Sequence, residues 1–207
     1  MKQIPPAKNI NEALEILDNG GRFYNFKAKA NDGRIDQSEL GKVAGIFSDH
    51  QEMILFLEML MIDLTTEEKN KIVGMLDQRM QEKYDYLKPQ YLNLAEVNKD
   101  AQFSNSIITK GIPKLIESKS EFTGFIMIPI VAGNVTSFSM IPLIEEYEVY
   151  EIKDSVTSKT LLIAHTKSFD NLPTDTEITV AGVLKELIPN KNDKTNSGKF
   201  LEIVYYV

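Results

Sequence analysis

A chain of 207 residues is long enough for one large domain or two small ones to bury a core without metal or disulfide staples. Apolar residues make up 43% and charged residues 26%, the balance of a folding chain rather than a disordered one. The absence of cysteine removes disulfides, thiolate nucleophiles, iron–sulfur clusters and sulfur-ligated zinc, and the net charge of −7 repels phosphate backbones and anionic lipid wherever no local basic patch intervenes.

Asn9 caps a short predicted helix that carries Ala13, Leu14 and Leu17 at helical spacing and stops at Gly20-Gly21. Phe23, Phe26, Ala28 and Ala30 read as a second helix, ended by the turn Asn31-Asp32-Gly33. A third opens at Asp36 and Glu39, the spacing of a capping box, and presents Leu40, Val43, Ala44 and Phe47 as one stripe. Ser48 and Gln51 read as the next cap, before a helix whose apolar face (Met53, Phe56, Leu57, Leu60, Met61, Leu64) is widened by Ile54, Leu55, Met59 and Ile62. Such a helix is either central to its domain or covered by a partner, and its methionines suit a core or an adaptable binding face. Thr65 and Glu68 cap a fifth and longest helix, through Ile72, Val73, Leu76, Met80, Tyr84 and Leu87, until Pro89 stops it.

From Pro89 to about Ser106 the chain turns polar and loses both periodicities, which reads as a linker between a helical domain, 1–95, and a β-rich domain, 96–207. Seven β-branched and aromatic runs follow: Ile107 to Thr109, Phe122 to Val131, Phe138 to Ile144, Tyr147 to Ile152, Thr160 to Thr166, Ile178 to Leu187 and Phe200 to Val207. Gly133-Asn134 and Asn190 to Gly198 read as turns or loops, and Pro113, Pro129 and Pro142 as marks of edges or bulges. The fold class expected is α+β, a helical bundle followed by an all-β sandwich or OB-like barrel. The last run, LEIVYYV, is expected to pair within a sheet, so that a C-terminal truncation harms folding. With no apolar leader and no run of about 18 apolar residues, the expectation is a cytoplasmic protein with no membrane partner.

The segment AKANDGRIDQSE, Ala28 to Glu39, resembles the calcium loop of an EF-hand: Gly33 falls at the sixth position, Ile35 at the eighth and Glu39 at the twelfth, with Asp32 and Asp36 at the fifth and ninth. The resemblance implies Asp32, Asp36 and Glu39 as candidate metal-binding residues. The loop is degenerate, since Ala28 and Ala30 occupy positions that normally supply oxygen, and calcium takes six to eight oxygens. The stretch from Phe23 to Phe47 is also similar to the acidic helix–turn–helix of tellurite-resistance-type (TerB-like) helical proteins. The same residues read equally as a plain turn, with Gly33 left-handed, Asp36 capping and Glu39 closing the capping box.

TEITVAGVLKELIPNKNDKTNSGKFLEIVYYV resembles the later strands of an OB-fold, whose barrels often bind single-stranded nucleic acid by stacking bases over a basic groove. That resemblance implies Tyr147, Tyr150, Phe169, Phe200, Tyr205 and Tyr206 as stacking candidates beside Lys185, Lys191, Lys194 and Lys199. Strand packing and a solvated lysine loop are the other reading. Asn196-Ser197-Gly198-Lys199 lacks the upstream glycine of a phosphate loop and precedes a strand, so it reads as a turn. The two histidines have no metal-type spacing: His50 sits in the first turn of a helix, and His165, which can pair with Asp170, reads as a surface residue at a strand end. No constellation carries catalysis and no cofactor is expected. The function read from the sequence is that of a non-enzymatic, bacterial-type accessory protein that binds another macromolecule, a protein, through its β-rich domain. Nucleic-acid binding, disfavoured by the net charge, and calcium sensing are the alternatives.

Overall fold

The computed structural model of the chain describes every residue except 23–24, 47, 100, 117–123, 133–134, 168–170 and 189–197. Expectations resting on Phe23, Phe47, the Gly133-Asn134 turn, Phe169, Asp170, Lys191, Lys194 or Asn196-Ser197 therefore lie outside the described residues. The architecture is α+β, with helices first and strands after. The chain divides into a helical unit, Gln3–Pro89, and a sheet unit, Met1–Lys2 with Gln90–Tyr206.

In the helical unit, polar caps decide where each helix begins. The Asn9 side chain accepts from the Glu12 N–H to open α1 (Ile10–Leu17), and Asp36 and Glu39 form a full capping box on α2 (Gln37–Ala44). For α3 (His50–Leu60) the cap is Asp49, which accepts from the Glu52 N–H, rather than Ser48. Every residue of α3 from Met53 to Leu60 is buried, Glu58 included, so the wide apolar face is the centre of this unit's core. Glu58 is satisfied there by the hydroxyl of Tyr84.

Two expectations about this unit are corrected. Residues 25–30 are not helical: Ala30 bridges back to Asn19, the Asn31 N–H donates to the Asp18 carbonyl, and Phe26 stands 88% exposed. The long fifth helix is two, α4 (Thr66–Met75) and α5 (Gln78–Leu87), separated at Leu76, whose ψ of 142° leaves the helical region. Asp77 caps α5 by accepting from the Met80 N–H. Ile35 fixes the break from outside, donating its N–H to the Met75 carbonyl and accepting from the Asp77 N–H, both by way of a parallel bridge to Leu76.

In the sheet unit the polar stretch after Pro89 is structured. β2 (Gln90–Tyr91) runs parallel to β3 (Ser106–Leu115), and Asn93 and Glu96 exchange cap bonds at the start of α6 (Leu94–Lys99). Each of the seven expected runs has a strand among its described residues, β3, β4 (Phe125–Ala132), β5 (Val135–Pro142), β6 (Tyr147–Lys153), β7 (Thr160–Thr166), β8 (Ile178–Glu186) and β9 (Lys199–Tyr206), but the run from Phe138 stops short of Leu143 and Ile144, which are helical. A short edge strand, β1 (Lys2–Gln3), lies beside β9, and a one-turn helix, α7 (Leu143–Glu146), joins β5 to β6.

The pairings form a circuit. β3 pairs antiparallel with β6, β6 with β7, β7 runs parallel to β9, β9 is antiparallel to β8, and β8 returns to β3. β3 serves two neighbours by bending: Ser106 to Gly111 face β8 and Ile112 to Leu115 face β6, with Gly111 at the handover, where a Cβ would stand 2.6 Å from the Lys153 carbonyl oxygen. A second glycine, Gly182, sits at the register shift between β8 and β9, where a side chain would collide with the Glu202 carbonyl. The period-2 alternation sends Tyr150, Ile152, Leu161, Ile163, Val180, Leu184, Leu201 and Ile203 into one core, joined by Leu94 and Val97 of α6. A second core cluster lies on the other face of β6, β7 and β9, where Val149, Leu162, Ala164 and Phe200 are covered by Ile126 of β4 and Leu143 of α7. Among the described residues, no helix is long and apolar enough to cross a membrane.

Candidate functional site

The acidic loop of the helical unit folds onto its own backbone. Glu39, 1% exposed, accepts from the Gly20 N–H at 2.7 Å through one carboxylate oxygen and from the Asp36 N–H at 3.0 Å through the other. Asp36 accepts from the N–H groups of Ser38 and Glu39 through one oxygen and from the Asn25 amide through the other. Asp32 accepts from the Arg34 N–H at 3.0 Å and is exposed. The residue that organises the turn was not singled out from the sequence: Asp18, 5% exposed, accepts from the Asp32 N–H at 3.1 Å and the Gly33 N–H at 2.8 Å. Its place at the end of α1, outside the twelve-residue spacing, hid it. Burial, reinforced by the negative charges of Asp36 and Asp18, holds the Glu39 carboxyl above the usual carboxylate range, while the N–H donors at Asp36 and Gly20 pull the other way. Among the described residues, no three His, Asp or Glu side chains stand together as a metal-holding group.

The sheet unit carries a groove of about 410 Å³. Its floor is Phe200, 2% exposed, and Ile126, 8% exposed; Met127 and Ile188 form its apolar wall, and Tyr147, Lys185, Glu186 and Glu202 its polar rim. Strand geometry explains the grouping, since Phe200 and Glu202 alternate outward on β9 and Tyr147 opens β6 on the same face. The start of β4 is tied to the segment after β8 by paired backbone bonds between Phe125 and Ile188, at 3.0 and 2.9 Å.

Glu202 orders the rim. One carboxylate oxygen accepts from the Tyr147 hydroxyl at 2.8 Å and the other meets the Lys185 ammonium at 3.4 Å. Tyr147 also sets its ring edge-on to Phe200, with centroids 5.9 Å apart and an interplanar angle of 69°. Burial first, and then the bond to Glu202, raises the Tyr147 hydroxyl well above the ordinary phenol range, so this O–H is a standing donor rather than an acid. The groove thus offers an apolar floor beside a fixed carboxylate, a half-exposed ammonium and an exposed carboxylate, Glu186: the equipment for holding an amphipathic side chain.

Among the described residues, the stacking candidates do not come together on an exposed face. Tyr150, Phe200 and Tyr205 are buried, Tyr206 is half-buried, and Tyr147 is engaged with Glu202 and Phe200. Of the lysines, Lys199 is buried and donates to the Val97 carbonyl at 2.7 Å and the Ala101 carbonyl at 3.4 Å, which holds the end of α6. Lys185 alone reaches the groove among the described lysines of that set. His165 is corrected from a surface residue to a buried one. It is 1% exposed, stacked on Tyr150 at 5.8 Å, with Nδ1 placed 2.9 Å from the Thr166 carbonyl, because strand alternation carries it inward with Leu161 and Ile163. No protein-family model matches this chain, and comparison with the curated proteins finds no similar sequence.

Proposed function

We propose that this is a non-enzymatic binding protein whose sheet unit, an OB-like barrel, takes a segment of another protein into the groove between the β4–β5 hairpin and the ends of β8 and β9. The observation that carries the reading is the groove itself: an apolar floor with an ordered Tyr147–Glu202–Lys185 rim. The circuit β3–β6–β7–β9–β8, with its single parallel pair, supports the barrel reading. OB-folds bind ligands over their second and third strands, here β6 and β7. On this chain Val149, Leu162 and Ala164 of those strands are covered by Ile126 and Leu143, so the groove is what remains open beside them. Fixed polar partners around an apolar floor select extended peptide better than nucleic acid, which needs free cations and free aromatic faces.

The test is selection of a displayed peptide library on the full chain, followed by binding measurements on Met127→Asp, in the groove wall, and Val156→Asp, at an exposed site in the β6–β7 turn. Peptides that lose at least about tenfold on Met127→Asp and nothing on Val156→Asp are expected. Peptides indifferent to Met127→Asp, or binding of single-stranded oligonucleotide in their place, would contradict the reading.

A further inference from the structure

No charged side chain occurs anywhere between Glu121 and Glu145, in a chain of which 26% of residues are charged. That interval holds the whole β4–β5 hairpin. β5 pairs with β4 in unbroken register from Val135 to Pro142, and among the described residues no strand pairs with its other edge. Proteins guard such edges with lysine, an internal proline or a bulge. β5 has no lysine and no register shift, and its proline is the last residue of the strand. Phe138 and Met140 stand 61% and 56% exposed on one face, with Met127, 50% exposed, directly across from Met140.

We propose that β5 is a self-association edge, pairing antiparallel with β5 of a second copy of this chain about a two-fold axis. Charge selects the occupant. A partner recognised by charge finds none on this hairpin, whereas two copies, each of net charge −7, repel least where both are uncharged. A two-fold strand pair is also self-complementary: apolar Phe138 and Met140 meet the same apolar face, and the edge amides and carbonyls find partners without leaving a buried charge. An edge of this length spans roughly 27 Å at about 3.4 Å per residue and buries less than the roughly 800 Å² per partner of a standard interface, so the dimer is reversible and concentration-dependent. The proposal uses the β5 edge and does not rest on the peptide-groove reading.

Sedimentation velocity on the full chain from low micromolar to millimolar concentration reads the mass directly, against 23.5 kDa for one copy. A rise toward twice that mass is expected, and Phe138→Lys with Met140→Lys, at positions already exposed, should return the mass to one copy without shifting the thermal melt. The chain has no cysteine, so single-cysteine variants report geometry: Phe138→Cys, Ser139→Cys or Met140→Cys should form a disulfide-linked dimer on mild oxidation, and Val156→Cys should not. A one-copy mass throughout, a dimer that survives the two lysines, or Val156→Cys linking as fast as the β5 positions would each overturn the proposal.

Discussion

Asp18 holds two backbone donors of the acidic turn at once, so Asp18→Ala leaves the Asp32 and Gly33 N–H groups without their acceptor and should cost about 1–3 kcal/mol. Asp32→Ala, which removes one exposed bond to the Arg34 N–H, should stay within about 0.5–1 kcal/mol; urea denaturation of the two variants checks the order. A loop organised by a bound cation would rank them the other way. His165 makes a second test. Burial lowers its imidazole pKa, so the unfolded chain binds its proton more tightly than the folded one. Its contribution is complete above the ordinary value of about 6.5 and declines as pH falls through that value toward the folded one. The urea midpoint of the wild type should therefore fall relative to that of His165→Gln between pH 7 and pH 5; His50, also lowered by burial, is shared by both proteins and cancels. Local chemistry made Asp36, Glu39 and Thr65 legible as caps, because a cap bonds within its own turn. Asp18, Lys199 and His165 were not legible, because each is defined by a partner distant in sequence or by the side of a strand that tertiary packing buries.

Element boundaries follow the same division. The break at Leu76 keeps helical periodicity on both sides, Ile72 before and Met80 after, so the sequence pattern runs through it; Ile35, from a distant turn, imposes the interruption. Asp77→Ala, removing the cap of α5, should cost about 1 kcal/mol by denaturant titration. Residues 25–30 failed as a helix because paired phenylalanine spacing is too short a signal to outweigh the bonds that close the loop, from the Asn31 N–H to the Asp18 carbonyl and from the Gly21 N–H to the Ala28 carbonyl. The strands were legible from β-branched runs, but the circuit was not, since the β3 handover and the β8–β9 register shift depend on Gly111 and Gly182, whose missing side chains matter only once neighbouring strands are in place. Gly182→Ala forces a methyl against the Glu202 carbonyl and should cost about 1–3 kcal/mol, seen as a lower melting temperature.

For the molecule as a whole, the sequence divided the chain into helices and strands, yet the groove drew its residues from β4, β6, β8 and β9 and had no linear signature. Tyr147 and Lys185 were named for base stacking and charge; in the fold they share Glu202, which turns them into an ordered rim beside an apolar floor. The central claim is that this groove receives another protein. Photo-crosslinking in living cells tests it most directly, with a photoreactive residue replacing Glu186 at the groove rim and, as control, Val156, which is 89% exposed in the β6–β7 turn. The account predicts a discrete protein adduct from position 186 that is lost when Met127→Asp is added, and none from 156. The same adducts from both positions, or none from 186, would contradict it.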